Sequence, residues 1–488
     1  MSAEFALFGV LLAPVLQALF VLALPKPPGL RDVLHIGFAL ATAICAGRLV
    51  NAVANGETAR IALAQPLPNV DLAFVVEPLG ALVAATIAGL GFLHAVHSAG
   101  LVRAMQEKSP ARLLAFMALA IGATMAVAFS ANLFTLFVAY QALILAVFPL
   151  VAHRGDEEAR RASRTFLATL LTASMGLFLP AMIWTYAIAG ALDFRPGGVL
   201  DGRVDTLTAN ILLVLFVLGI AMAATPPLHR WLPDSSRAPD AALVTIQGLA
   251  ILPAGGIGLI KVAAFVFGPA LETARIAAYG LIGLVGVGMC AAALIALSRK
   301  DLRERLAYSC MAQSMAVVIG ALVALPVGLF AAALQIVALA CSATTLTMAI
   351  GTTAAITGRR TVADYAGLGR VMPWTFAGFA LASASMIGMP PFSGAWAKLW
   401  LITAAAGAGL VWAAVLVGVA AVLTFAHLAP LAANTLAGKA PTDAFKRPDG
   451  ASILLAAPVI LSAAATLWLL VLANRLSLFL APIWSGPQ

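Results

Sequence analysis

GIAMAATPPLHRWLPDSSRAPDAALVTIQGLAILPAGGIGLIK, residues 219–261, is the stretch whose reading decides the fold. An apolar helix runs into Pro226-Pro227, and the backbone must break there, because proline lacks an N–H and its ring clashes with the preceding turn. Polar residues follow (His229, Arg230, Asp234, Ser235, Ser236, Arg237 and Asp240), and a second long apolar helix begins near Ala241. Inside a bilayer such a break is tolerated only when protein buries it or when it lines a wet cavity. Broken helices in transporters are where ions and substrates usually bind.

The rest of the chain agrees with a membrane setting. Apolar residues make up 62% of it and charged residues only 10%, against about 25% charged in an ordinary soluble chain. The apolar runs exceed the roughly 20 residues needed to cross a bilayer. No ten-residue segments of alternating polarity suggest a membrane β-barrel. The first run, Phe5 to Leu24, lacks a basic start and a small-residue cleavage site, so it reads as a retained helix. The expected class is therefore an all-α polytopic membrane protein.

About fourteen spans follow from the hydropathy pattern. They lie near 5–24, 32–52, 75–100, 112–129, 131–152, 164–188, 208–228, 243–267, 275–297, 306–325 and 328–356. A second broken span covers 373–406, interrupted at Met389-Pro390-Pro391-Phe392-Ser393-Gly394, and the last two lie near 408–430 and 452–472. Loops after odd-numbered spans carry most of the 29 Lys and Arg residues, including Arg103, Arg154, Arg160, Arg161, Arg299, Lys300, Lys439, Lys446 and Arg447. By the positive-inside rule these loops are cytoplasmic. Both termini are then expected on the outer, periplasmic face of a bacterial inner membrane. This topology accounts for the net charge of +9 without nucleic-acid binding.

The two breaks occupy similar places in two consecutive five-helix blocks, which is the pointer to an inverted repeat with a pathway at its midplane. The expected division is 1–111 for three N-terminal helices, 112–267 and 275–430 for the two repeats, and 431–488 for a C-terminal loop and last helix. Cys45, Cys290, Cys310 and Cys341 are scattered and read as small apolar residues, not as metal ligands. No dinucleotide fingerprint, P-loop or HExxH motif is present, so no cofactor or metal is expected.

Several stretches together resemble one family. They are ANLFTLFVAYQALILAVFPLVAHRG (131–155), PPLHRWLPDSSRAP (226–239), KDLRERLAYSCMAQ (300–313) and GLGRVMPWTFAGFALASASMIGMPPFSGAWAKLW (367–400). These resemble, in order, segments of the antiporter-like membrane subunits of complex I and of Mrp-type monovalent cation/proton antiporters. WTY (184–186) and ALDFRPGG (191–198) look most like the D-type branch of the Mrp antiporter subunits. The resemblance implies fourteen helices, an inverted repeat and broken helices seven and twelve. It also implies a hydrated row of ionisable groups at mid-membrane, with other membrane subunits, including a paralogous antiporter-like subunit, as partners, along with lipid and protons or monovalent cations. Any redox chemistry belongs to other subunits.

At the relay positions implied by the resemblance, this chain carries neutral residues. The family's glutamate falls on Gln141 and the lysine of helix seven on Met222. On helix eight the histidine falls on Gln247 and a common lysine on Pro253. On helix eleven Gln335, Leu339 and Ala343 replace ionisable groups, and only Lys398 remains. Gln and Met keep size while losing the group that binds and releases a proton near neutral pH. Gln141 and Met222 are expected to face each other at mid-membrane.

Other candidates carry two readings each. Lys398 is a gate on a half-helix or a lysine reaching for an interface. His229 admits protons or caps carbonyls freed by the prolines. Lys261 reads as a snorkelling lysine, Glu77-Pro78 as an interfacial helix start, His94 and His97 as a structural pair or metal ligands, and RKDLRER (299–305) as a solvated loop.

Three functions follow as expectations. The first is a scaffold or partner of an active paralogue within an Mrp-type or complex I-like assembly. The second is an active proton or sodium translocator working through Lys398, with His229, Gln141, Gln247 and Gln335 on its water wire. The third is a membrane partner of an inorganic-carbon or solute transporter.

Overall fold

The structure is a computed structural model and describes residues 1–438 and 451–485. The basic loop residues Lys439, Lys446 and Arg447 lie outside the described residues. Helices α1 (Ala3–Ala23) and α2 (Pro28–Ala54) lead to a hairpin of β1 (Arg60–Leu67) and β2 (Val70–Val75). Next come α3 (Pro78–Ala104), α4 (Pro110–Ala128), α5 (Leu133–Val151), α6 (Glu157–Ala189) and the short α7 (Thr206–Gly219). The chain continues through α8 (Asp240–Phe267), α9 (Arg275–Ser298), α10 (Leu302–Leu322) and α11 (Pro326–Thr357). It ends with α12 (Pro373–Ile387), α13 (Ser393–Gly407), α14 (Val411–Ala437), α15 (Ala451–Ala465) and α16 (Trp468–Leu480).

Among the described residues, 11 helices are long and apolar enough to cross a membrane. The segmented passes built on α7, on α12 with α13, and on α15 with α16 bring the passes to fourteen. The core is asymmetric: the most apolar window of α8 is wholly buried, and those of α10 and α11 are 89% buried, while α2 and α14 present two thirds of theirs outward. Thus α8, α10 and α11 form the packed centre, on which the interrupted passes lean.

Two expectations need correction. The first break does not begin at Pro226-Pro227: α7 stops at Gly219, and Ala221–Ala223 form a single tighter turn. The close neighbour explains this, because Gly255 of α8 presses on the backbone of Met222 and Ala223. The last pass is two helices joined near Thr466 and Leu467, not one, and it extends beyond residue 472.

Prolines also shape the helices that do not break. Wider π-helical turns occupy Ser174–Phe178, Val244–Ala250 and Val262–Phe267. Each precedes a proline by a few residues: Pro180, Pro253 and Pro269. A proline ring collides with the carbonyl four residues earlier; at Pro180 and Pro253 shifting the ladder to the next donor relieves that collision while the helix continues, whereas before Pro269 the helix has already ended at Phe267.

Gly255→Val should force the break segment off α8 and cost about 2–3 kcal/mol, as overpacking does. A thermal melt of the purified variant in detergent measures this; an unchanged midpoint refutes the close packing of α8 on the broken segment.

Candidate functional site

A broken helix frees backbone donors and acceptors, and each one left unpaired in an apolar interior costs several kcal/mol. At the first break, side chains from three other segments satisfy them. The Met222 N–H donates to the Tyr140 hydroxyl at 3.0 Å. The Trp231 indole N–H donates to the Ala221 carbonyl at 3.1 Å, and Ser314 Oγ donates to the Ala223 carbonyl at 2.9 Å. Met222, Trp231 and Ser314 are fully buried.

Tyr140, one position before Gln141, makes the polar contact from α5 to Met222. Successive helix positions are about 100° apart, so Gln141 points elsewhere. Half-buried, it accepts a hydrogen bond from Ser174 Oγ of α6 at 3.2 Å. The expected face-to-face arrangement of Gln141 and Met222 is thus replaced by a tyrosine bond to the Met222 backbone.

Gln247 and Gln335 are buried in the centre. The thiol of Cys310 on α10 donates weakly to Gln247 Oε1 at 3.9 Å. One turn further on α10, Gln313 Oε1 accepts from Gln335 Nε2 of α11 at 3.0 Å. Pro253, Leu339 and Ala343 are buried among them and add no side-chain polar atom. Gln141 Nε2, Gln247 Nε2 and Gln335 Oε1 are buried and have no protein partner. Each glutamine therefore uses one end of its amide on a neutral neighbour and leaves the other end open.

Lys398 is buried on α13, where its ammonium donates to the carbonyls of Met386 and Ile387 at 2.6 and 2.8 Å. These are the last carbonyls of α12, which a helix end leaves without backbone donors. Pro390 and Pro391 lie between the two half-helices and are exposed. His229 is half-buried in the link between α7 and α8, beyond the half-buried Pro226 and the exposed Pro227, and its Nδ1 has no protein partner. Burial pushes its imidazole below the ordinary histidine value.

Ionisable groups gather instead at the two ends of α8, about 30 Å apart at 1.5 Å per residue. At the end that carries the basic loops, Asp240 is bound by both Nη atoms of Arg360 at 2.9 and 2.8 Å. Arg303 stands 3.9 Å from the same carboxylate. Nearby, His94 meets Thr245 at 3.3 Å, His97 meets Thr352 at 2.9 Å, and His35 joins Gln17 at 2.9 Å to Ser98 at 3.2 Å. At the other end, Lys261 pairs with Glu77 at 2.7 Å and donates to the Ser130 carbonyl at 2.8 Å. Between Gln247 and Lys261, α8 reads GLAILPAGGIGLI, with no ionisable residue.

Two readings are thereby corrected. Lys261 does not snorkel: it is wholly buried against a carboxylate, because Glu77 at the start of α3 reaches it first. RKDLRER is not fully solvated: Arg303 and Arg305 are buried. Arg305 donates to the carbonyls of Leu297, Arg299 and His427, which fastens the end of α9 to α14.

The arrangement defines a class: a multi-pass helical membrane protein with interrupted helices around a neutral polar centre. The chain belongs to the family described as NADH:quinone oxidoreductase/Mrp antiporter, TM, which matches residues 130–424. The N subunit of NADH-quinone oxidoreductase from Desulforudis audaxviator is 28% identical over 393 residues, 78% of this chain and 77% of that protein. The D-type subunit of the Na(+)/H(+) antiporter from Alkalihalophilus pseudofirmus is 27% identical over 278 residues, and the match covers 56% of this chain but only 55% of that relative. A chain of the Mrp complex from Dietzia superposes with a TM-score of 0.86 at 22% identity, over 100% of this chain and 98% of that one. A chain of respiratory complex I from Thermus thermophilus gives 0.84 at 22% identity, over 98% of each. These likenesses agree with the fourteen-pass fold.

Glu77→Gln should leave the Lys261 charge buried without its counter-charge and cost about 3 kcal/mol. Adding Lys261→Met should recover most of that loss. Thermal melts of the single and double variants test this; an equal loss in both removes the argument for a coupled pair.

Proposed function

We propose that this chain is a membrane subunit of a multisubunit ion-translocating assembly of the Mrp antiporter or complex I-like kind, acting as scaffold or partner to an active paralogous subunit. The observation that carries the partner reading is the second break. Met389 is 41% exposed, and Pro390 and Pro391 beside it are exposed too. They follow α12, whose 15 residues reach only about 22 Å, too short to cross a hydrocarbon layer of about 30 Å, so the break falls inside that layer. Irregular backbone at that depth is not left facing lipid, so a neighbouring subunit is expected to cover it.

The neutral centre supports the scaffold role. Gln141, Gln247 and Gln335 bond only neutral groups, and Met222 offers only its backbone N–H. None of these side chains stores a proton near neutral pH. We place the basic loops in the cytoplasm of a bacterial inner membrane and both termini on the periplasmic side, from the positive-inside rule. The two five-helix blocks, each with one interrupted pass, are read as an inverted repeat.

A second reading, proton or sodium translocation through Lys398 and water, draws on the open amide ends of the three glutamines. Buried polar atoms of this kind recruit ordered water.

Reconstitution into liposomes with an internal pH dye separates the two. With an imposed pH gradient, the purified chain is expected to leak protons no faster than its Lys398→Ala variant. Flux in the wild type that the variant loses overturns the scaffold reading and establishes the second.

A further inference from the structure

A buried guanidinium spends its N–H groups on acceptors, because each one left open in the interior costs free energy. Two arginines at the basic-loop end obey this. Arg305 bonds three backbone carbonyls, and Arg360 grips Asp240 with both Nη atoms. Arg303 does not. It is only 9% exposed, and its Nε and Nη1 atoms are buried without a hydrogen-bond partner. The two carboxylates beside it stand beyond hydrogen-bond reach. Asp301 Oδ1 is 3.6 Å from Nε, and Asp240 Oδ1 is 3.9 Å from Nη1. Both are already committed. Asp240 receives Arg360, and Asp301 caps α10 by accepting the backbone N–H of Arg303 at 2.8 Å.

A further arginine crowds the same place. Arg154 lies in the turn between α5 and α6. Partial burial, then the nearby charge of Arg303, holds its guanidinium below the ordinary arginine value, and Arg360 adds to the effect. Asp240 and Glu107 act in the opposite sense. Asp240, however, is bonded to Arg360, and Glu107 stands 3.7 Å from His153. Guanidiniums from the α5–α6 turn, the start of α10 and the link after α11 thus converge, with Asp240 bonded to only one of them. Like charges so placed repel one another. An anion with several oxygens offsets that repulsion and meets the open N–H groups, and the planar fork of arginine matches phosphate oxygens well.

We propose that Arg303 and Arg154 bind a phosphate group at the basic-loop end of the bundle, beside the fixed pair of Arg360 and Asp240. The phosphate belongs either to inorganic phosphate or to the headgroup of an anionic phospholipid, since basic pockets between membrane helices take such headgroups. The charge-assisted bonds it forms are stronger than those to neutral acceptors. Binding here involves no group of the neutral centre, so the inference stands whether the chain is a scaffold or a translocator. Its test reads stability instead of flux.

The test uses the full chain, purified in detergent and then placed in lipid nanodiscs. In detergent, inorganic phosphate at about 50 mM should raise the melting temperature by about 2 °C or more over sodium chloride of equal ionic strength. Arg303→Gln should abolish that excess, and Arg154→Gln should reduce it. If Arg303→Gln does not assemble, Arg154→Gln decides the matter, and an undiminished excess in that variant refutes the site. Nanodiscs separate the two sources. A site for free phosphate keeps its phosphate shift in phosphatidylcholine. A headgroup site melts higher when phosphatidylglycerol replaces phosphatidylcholine, loses that gain in Arg303→Gln, and responds no further to inorganic phosphate. Either result supports the proposal. An equal response to phosphate and chloride, together with no Arg303-dependent response to phosphatidylglycerol, overturns it, as does a phosphate excess that survives Arg303→Gln.

Discussion

The pairing of backbone groups freed where helices break constrains this molecule more than any other interaction. In a membrane interior each freed N–H or carbonyl must find a partner within the protein or in bound water. The two breaks solve this differently. At the first, a phenol, an indole and a hydroxyl meet the backbone of residues 221–223. At the second, one ammonium meets two carbonyls. None of the first set changes charge near neutral pH, so that break is locked. The second rests on the one partner whose charge can be withdrawn.

Proline placement follows from the same constraint. Pro180 and Pro253 each remove a ladder donor inside a long helix. Wider turns just before them keep the helix continuous. Pro226-Pro227 and Pro390-Pro391 each remove two adjacent donors and lie in the non-helical link of a broken pass, after the helix has already ended at Gly219 and at Ile387. The widened turn Val244–Ala250 also carries Gln247, so Pro253 shapes the backbone from which that side chain reaches Cys310.

The passes were legible because hydropathy and length are local properties. The double prolines announced both interruptions, but not where the first begins. Its onset at Gly219 is set by Gly255, which lies far along the chain and brings α8 against the break. Pairing of charges was illegible for the same reason. Lys261 looked like an interface lysine because its partner, Glu77, lies far away in sequence, and Asp240 meets Arg360 across 120 residues. Arg305 looked solvated because a basic run at a helix end usually is; only packing shows three carbonyls waiting for its guanidinium. Tyr140 carried a weak signal, a hydroxyl in an apolar helix, yet nothing local pointed it at the Met222 backbone.

Charge in the described core follows one energetic rule with two exceptions, Lys398 and, at the end of the basic loops, Arg305. Removing one member of a buried ion pair costs about 3–5 kcal/mol, whereas replacing both with neutral groups of similar volume is nearly free. A membrane core is therefore stable with charges in pairs or with none. The two ends of α8 keep pairs: Asp240 with Arg360, and Glu77 with Lys261. The middle of the bundle keeps neutral amides and hydroxyls. Lys398 breaks the rule, a buried cation balanced by carbonyl dipoles instead of a carboxylate. Dipoles of this kind offset a buried charge less fully than a carboxylate does, so this lysine is tied to the break by its two carbonyl contacts and by no ion pair among the described residues.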